Sequence, residues 1–253
     1  MTDIKWIGAN SQNFTIGRPV NGQGSLQTTP VAIVCHIMSG GLAGTDGWFL
    51  NPTSKVTAHF GVGKQGQIHQ YVKVTDSAWA NGIVEAPDMS IKWLADAVSK
   101  NQWINAFTIS IEFEGYYTDL LTDAQYQAGL WLIEKLCNDW HIPKDSQHII
   151  GHFQITAYQR AHCPGPNFPW SQLMKDLNPV GQYDPSGGFS VGEGAVKILT
   201  QNGLTATTNE NYYHDETGQK VSLVYTNNAK LRVLTTFSPA SGLWDTQLVQ
   251  NVD

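Results

Sequence analysis

The segment GHFQITAYQRAHCPG, residues 151–165, carries His152, His162 and Cys163 in one loop-like stretch closed by Pro164 and Gly165. Imidazole nitrogen and thiolate sulfur are favoured zinc donors, and a catalytic zinc takes three protein ligands while keeping a fourth position open for water. His152 and Cys163 are eleven positions apart (163 − 152), too far for one helical face. A shared ion therefore needs the chain to loop back, and a third donor from elsewhere. His36 supplies the count: it is the penultimate residue of VAIVCHI, residues 31–37, near Ser39, Gly40 and Gly41, where bare backbone leaves space for a substrate. Each residue also has a plainer reading, since a histidine is usually a hydrogen-bonded core or surface group and a lone cysteine a small buried hydrophobe. Cys35 and Cys137 keep that plainer reading. Cys163 is set apart by Pro164-Gly165-Pro166, a rigid turn able to hold a thiolate in place.

The elements that must position these groups follow from periodicity. VAIVCHI reads as a buried strand with Val31, Ile33, Cys35 and Ile37 on one face and Val34 and His36 on the other. Residues 56–62 and 68–74, separated by KQGQ, read as a hairpin. FTISIEF, residues 107–113, is the clearest strand: Phe107, Ile109, Ile111 and Phe113 share one face, and Thr108, Ser110 and Glu112 the other. Glu112 thus points away from the main apolar layer. TDAQ at 122–125 fits a capping box, and Leu130, Ile133, Leu136, Cys137 and Trp140 recur at helical spacing, so this helix covers the sheet. Further helices are expected over 90–103 and 169–177, and strands alternating with helices imply an α/β domain.

PVGQYDPSGG, residues 179–188, concentrates Pro, Gly and Ser and marks a boundary. The expected organisation is a catalytic domain over 1–178, a linker over 179–190 and a small strand-rich domain over 191–253. The tail opens with a short helix near Glu193–Gln201 and continues with the strands KVSLVYT and KLRVLTTF around an Asn-Asn turn.

A hydrophobic content of 41% supports a packed core, while the formal charge of −6 gives no electrostatic reason to expect nucleic acid. Three cysteines without a CxxC pair argue against a disulfide framework. No apolar run reaches eighteen residues, and MTDIKWIGANSQ has neither a basic nor an apolar leader region, so no membrane span or secretory signal is expected.

The succession VAIVCHIMSG, VTAHFGVGKQGQIHQYV, FTISIEFEG, IIGHFQI and CPGPNFPW resembles the zinc-dependent N-acetylmuramoyl-L-alanine amidases, which share a fold with peptidoglycan recognition proteins. The similarity spans about residues 28 to 178, with five segments in the family's order. It implies a mixed central sheet flanked by helices, Zn2+ held by His36, His152 and Cys163, and Glu112 as the catalytic glutamate. Glu114 is second choice for that role and fits structure at the strand end better, and His59 matches a structural hairpin position. The implied reaction cuts the amide between the lactyl group of N-acetylmuramic acid and L-alanine, with peptidoglycan or a muropeptide as substrate and a monomer as the acting species.

Two positions depart from the family. Members often carry Lys two positions before the third ligand, or Tyr before the hairpin histidine, to stabilise the oxyanion; here Ala161 and Ala58 stand there, and Ala80 follows Trp79 where relatives have His. Arg160 and His162 flank Ala161, and strand-like alternation favours His162 as the substitute donor. His162 as a fourth ligand of a closed structural site is disfavoured by its adjacency to Cys163. The rival classes are a non-catalytic peptidoglycan-binding module and a cytoplasmic amidase that recycles wall fragments. The small second domain and the missing leader resemble phage endolysins, made in the host cytoplasm and acting on the wall.

Overall fold

The computed structural model describes residues 3–178, 193–204, 211–214, 220–228, 231–238 and 243–250. The expected linker, 179–190, lies outside them. The chain divides into two compact units, Met1–Leu177 and Asn178–Asp253. The first contains β1 (Ile4–Trp6), β2 (Phe14–Thr15), β3 (Ala32–Ile37), α1 (Leu42–Leu50), β4 (Phe60–Val62), β5 (Ile68–Gln70) and β6 (Ser77–Ala78). It continues with α2 (Lys92–Ser99), β7 (Thr108–Phe113), α3 (Asp123–Trp140), β8 (Ile149–Gly151) and α4 (Trp170–Leu177).

Six strands form a mixed sheet in the order β1-β5-β4-β7-β3-β8. β7, β3, β8 and β4 run parallel, β5 is antiparallel to β4, and β1 is parallel to β5. Both faces of the centre are covered, as parallel strands require. On one side Ile33, Cys35, Ile109, Ile111 and Phe113 pack with Leu132, Ile133 and Leu136 of α3. On the other, Val34 and Ile150 pack with Ile91 and Leu94 at α2. The alternation read from VAIVCHI is therefore realised: Ile33 and Cys35 enter the α3 core while Val34 enters the α2 core.

α3 starts where TDAQ indicates, with the Thr122 side chain accepting from the Gln125 amide. Gln125 departs from a reciprocal capping box: its buried amide donates to the Val62 and Glu114 carbonyls, tying the helix start to β4 and β7. α2 is shorter than 90–103 because the chain turns at Asn101, with φ 52°, and enters a 3-10 turn over Ile104–Phe107. α1 was not visible as a helix. Its Gly44 and Gly47 lower propensity, and burial of Leu42 and Phe49 overrides that deficit.

Arg18, buried in the leader before β3, donates to the carbonyls of Val74, Ala106 and Thr108, stitching the leader to the β5–β6 connection and the start of β7. The second unit holds α5 (Glu193–Gln201), β9 (Asn211–His214), β10 (Lys220–Tyr225), β11 (Leu231–Ser238) and β12 (Leu243–Gln250). Its strands form an antiparallel sheet ordered β12-β11-β10-β9, around a core of Leu199, Val224 and Val233. Among the described residues no helix is long and apolar enough to cross a membrane.

Candidate active site

β3 and β7 pair in parallel with His36 opposite Glu112, so period-two geometry puts both side chains on one face near the ends of their strands. β8 is the next strand on the far side of β3 and ends at Gly151, which precedes a 3-10 turn beginning at His152. A Cβ at Gly151 would meet the Phe153 ring at 2.5 Å and Pro164 Cδ at 3.0 Å, so a larger residue there would have to displace the Phe153 ring. Cys163 comes back to the same place: the Phe153 amide donates to its carbonyl (3.0 Å), and its Sγ accepts from the Ile37 amide (3.4 Å). The Cys163–Pro164 peptide is cis.

His36, His152 and Cys163 are buried, with their ligand atoms all within 4.8 Å of one another. The two Nδ1 atoms face each other at 3.0 Å. His152 Nε2 lies 3.0 Å from the Asn81 carbonyl, to which it can only donate, and this leaves the lone pair on Nδ1. Such an orienting bond to a backbone carbonyl is the usual support of a ligating histidine. Asn81 is itself held, its side chain donating to Thr108 Oγ1 and its amide to Asn105 Oδ1. Sequence reading missed Asn81, because a carbonyl acceptor has no side-chain signature.

Burial pushes His36 well below its ordinary 6.5, with the charges of His152 and Arg160 adding to the effect. It pushes His152 down to about 4, opposed by the bond to Asn81. Both rings are thus kept neutral, the form that ligates. Burial raises the Cys163 thiol to about 12, aided by the Glu112 charge and opposed by the Ile37 amide and Arg160. Glu112 is raised to about 7, again chiefly by burial, with Arg160 pulling it down. Its Oε2 is enclosed and has no hydrogen-bond partner among the described residues, and the same holds for His36 Nε2.

These groups line a cavity of about 270 Å³, walled by Thr45, Trp48 and Phe49 of α1 and by Trp79, with Arg160 at its edge. His162 is not brought there. It is exposed and stacks on Tyr117, with ring centroids 5.2 Å apart and 27° between planes. The alternation that favoured His162 fails because residues 156–163 form helix-like turns, with the Arg160 amide bonded to Thr156 O and the Cys163 amide to Arg160 O. Residues three apart then share a side, so Arg160 accompanies Cys163.

Glu114 accepts from the Lys64 amide at 2.7 Å, a structural tie at the end of β7. His59 stands outside the three-ligand group: its Nδ1 accepts from the Ser110 amide and its Nε2 lies 3.0 Å from the Asp76 carbonyl. Ala58 is buried, and Ala80 lines the cavity.

The family described as N-acetylmuramoyl-L-alanine amidase matches residues 26–166. N-acetylmuramoyl-L-alanine amidase A of Achromobacter lyticus is 28% identical over 192 residues, covering 68% of this chain and 92% of its own. The 1,6-anhydro-N-acetylmuramyl-L-alanine amidase AmpD of Escherichia coli (strain K12) is 32% identical over 119 residues, 47% of this chain and 57% of its own. A crystal structure of a selenomethionine derivative of AmpD shares the fold, with a TM-score of 0.53 over 70% of this chain and 95% of that one at 23% identity. The family match spans more than half of the sequence and takes in both strands and both loops that build the cavity, and the chain therefore belongs to the N-acetylmuramoyl-L-alanine amidase family.

Proposed function

We propose that this protein hydrolyses the amide between N-acetylmuramic acid and L-alanine in peptidoglycan, with Zn2+ held by His36, His152 and Cys163. The observation that carries the reading is the pair of neutral imidazoles whose Nδ1 atoms face each other at 3.0 Å with a cysteine sulfur in the same cluster. Two histidines and one cysteine make a catalytic zinc donor set, and the His152–Asn81 bond fixes the tautomer that ligation needs. Zinc there supplies Lewis acidity, polarising a carbonyl and lowering the pKa of water toward ~7.

The rest of the chemistry belongs to the chain. Glu112, one strand from His36, has an enclosed and unpartnered Oε2. As a carboxylate it takes the proton of the attacking water, and as an acid it delivers that proton to the leaving amine of L-alanine. A carboxyl raised to about 7 suits both halves of that transfer. Arg160, whose guanidinium has no hydrogen bond or ion pair among the described residues, lines the same cavity as Glu112, His36 and His152, and meets the oxyanion in place of the Lys that relatives carry at the Ala161 position. Trp48 and Trp79 line the cavity and flank the reacting amide.

The biological role we infer is digestion of the intact wall, as in endolysins, with the second domain over 191–253 holding the enzyme on its substrate. The second compact unit supports this reading, since it lies beyond the family match that ends at residue 166. Recycling of soluble fragments needs no such module. The test is digestion of purified sacculi: amide cleavage releases stem peptides with free L-alanine amino groups and leaves intact glycan chains. New reducing ends, or no release with zinc supplied, would overturn the reading.

A further inference from the structure

A second concavity, of about 260 Å³, is built from residues adjacent in sequence to the ligands. Phe153 follows His152, Ala161 and His162 precede Cys163, Gly165 and Pro166 follow it, and Trp170 opens α4. No Lys, Arg, Asp or Glu lines it. A Cβ on Gly165, where φ is +127°, would lie 2.3 Å from the Tyr117 carbonyl, so the turn and the Tyr117 strap are in direct backbone contact. Tyr117 in turn stacks on His162 and fixes that imidazole as a wall. Tyr117 is 49% exposed and Phe153 37%, so aromatic surface remains open to solvent beside the cavity.

An uncharged concavity with aromatic walls selects a neutral ring that offers C–H faces to the aromatics and hydroxyls to water, which is the chemistry of a pyranose. Its volume falls just below the ~300–1,000 Å³ of drug-sized ligand sites, room for one ring. We propose that this cavity is a sugar subsite that takes one N-acetylated pyranose of the glycan strand, next to the muramoyl residue whose amide is cut. This rests on the function proposed above: the substrate is then a polymer, and a strand lying across the cleft is carried past the outer residues of the same two loops. His162, which faces away from the chemistry, acquires a role there as a binding residue, and Tyr117 as the residue that positions it.

The test has two arms with the full chain. In the first, a β-1,4-linked tetramer of N-acetylglucosamine is titrated while tryptophan fluorescence is followed, Trp170 being the reporter. Saturable binding in the wild type, weakened roughly tenfold in Tyr117→Ala and in His162→Ala, is expected. In the second arm, KM and kcat are measured on uncrosslinked glycan strands bearing stem peptides and on a single muramoyl peptide. Tyr117→Ala should raise KM about tenfold on strands and leave kcat, and both constants on the short substrate, unchanged. Absence of saturable tetramer binding, or an equal loss on both substrates, overturns the subsite. If the wild type binds the tetramer through these residues yet cuts neither substrate, the subsite stands and the amidase reading falls.

Discussion

Single residues divide here into those whose role follows from strand arithmetic and those that depend on loop shape. His36 and Glu112 were legible because alternation in VAIVCHI and FTISIEF fixes which face each occupies, and the parallel register then makes them neighbours. Arg160 was not, since a turn of helical character inside an irregular loop reverses the expected parity. Glu112→Gln should lower kcat at least ~10²-fold with zinc content unchanged, whereas Arg160→Ala should cost roughly 10²- to 10³-fold. Metal analysis alongside kinetics checks both, and near-normal turnover in either variant removes that residue from the mechanism. His59 makes a different kind of prediction. Its pKa falls from 6.5 to about 3, chiefly by burial and secondarily by the charge of Arg18, so unfolding takes up a proton between those values and stability falls as pH falls through that window. The slope contributed is up to about 1.4 kcal/mol per pH unit. Glu112 acts in the opposite sense between 4.5 and about 7, because its raised pKa makes unfolding release a proton as pH rises. Denaturant titrations of wild type and His59→Gln from pH 4 to 7 isolate the histidine; equal slopes in the two proteins would remove it as the cause.

Among the elements, the long ones announced themselves and the short ones did not. β3, β7 and α3 carry enough periodic residues to be read, and the Thr122 cap fixes where α3 starts. β1, β6 and β8 are only two or three residues long, below the length at which alternation is informative, and exist because neighbouring strands offer them bonds. The glycines separate packing from propensity. Gly61 on β4 lies opposite Glu112, and a Cβ there would stand 2.7 Å from the Tyr71 hydroxyl and 3.0 Å from Met38 Cε. Tyr71 is fully buried and donates to Asp46 Oδ1 of α1, so it cannot move away cheaply. Gly61→Ala should therefore destabilise by ~1–3 kcal/mol and disturb the Glu112 side of the cavity. Gly44 in α1 has open space around its missing Cβ, and Gly44→Ala should stabilise by ~0.5–1 kcal/mol. Thermal unfolding of the two variants distinguishes these signs, and a shift in the same direction for both would contradict the packing account.

At the scale of the whole molecule, the chain divides into two compact units, Met1–Leu177 and Asn178–Asp253, each with its own sheet and core. Residues 1–178 alone should cleave soluble muropeptides at the wild-type rate and act poorly on intact sacculi, because a second binding module raises local concentration without touching the chemistry. Loss of turnover on the soluble substrate as well would make the tail part of the catalytic unit. The sheet that carries the site has one more consequence. His36 and His152 are 116 positions apart in the chain and are brought together by the pairing of β3 with β8, whose buried residues include Ile33, Val34, Ile149 and Ile150. In a zinc finger the ion gathers ligands from a short stretch and the polypeptide is shapeless without it; here the three donors sit on a six-stranded sheet with its own apolar cores, so the fold should survive without the ion. Prolonged dialysis against a chelator should abolish turnover while leaving the far-ultraviolet circular dichroism intact, and cobalt(II) added afterwards should restore activity with the colour of a cysteine-to-metal charge-transfer band. Collapse of the dichroism on dialysis would show instead that the ion is a structural member of the sheet.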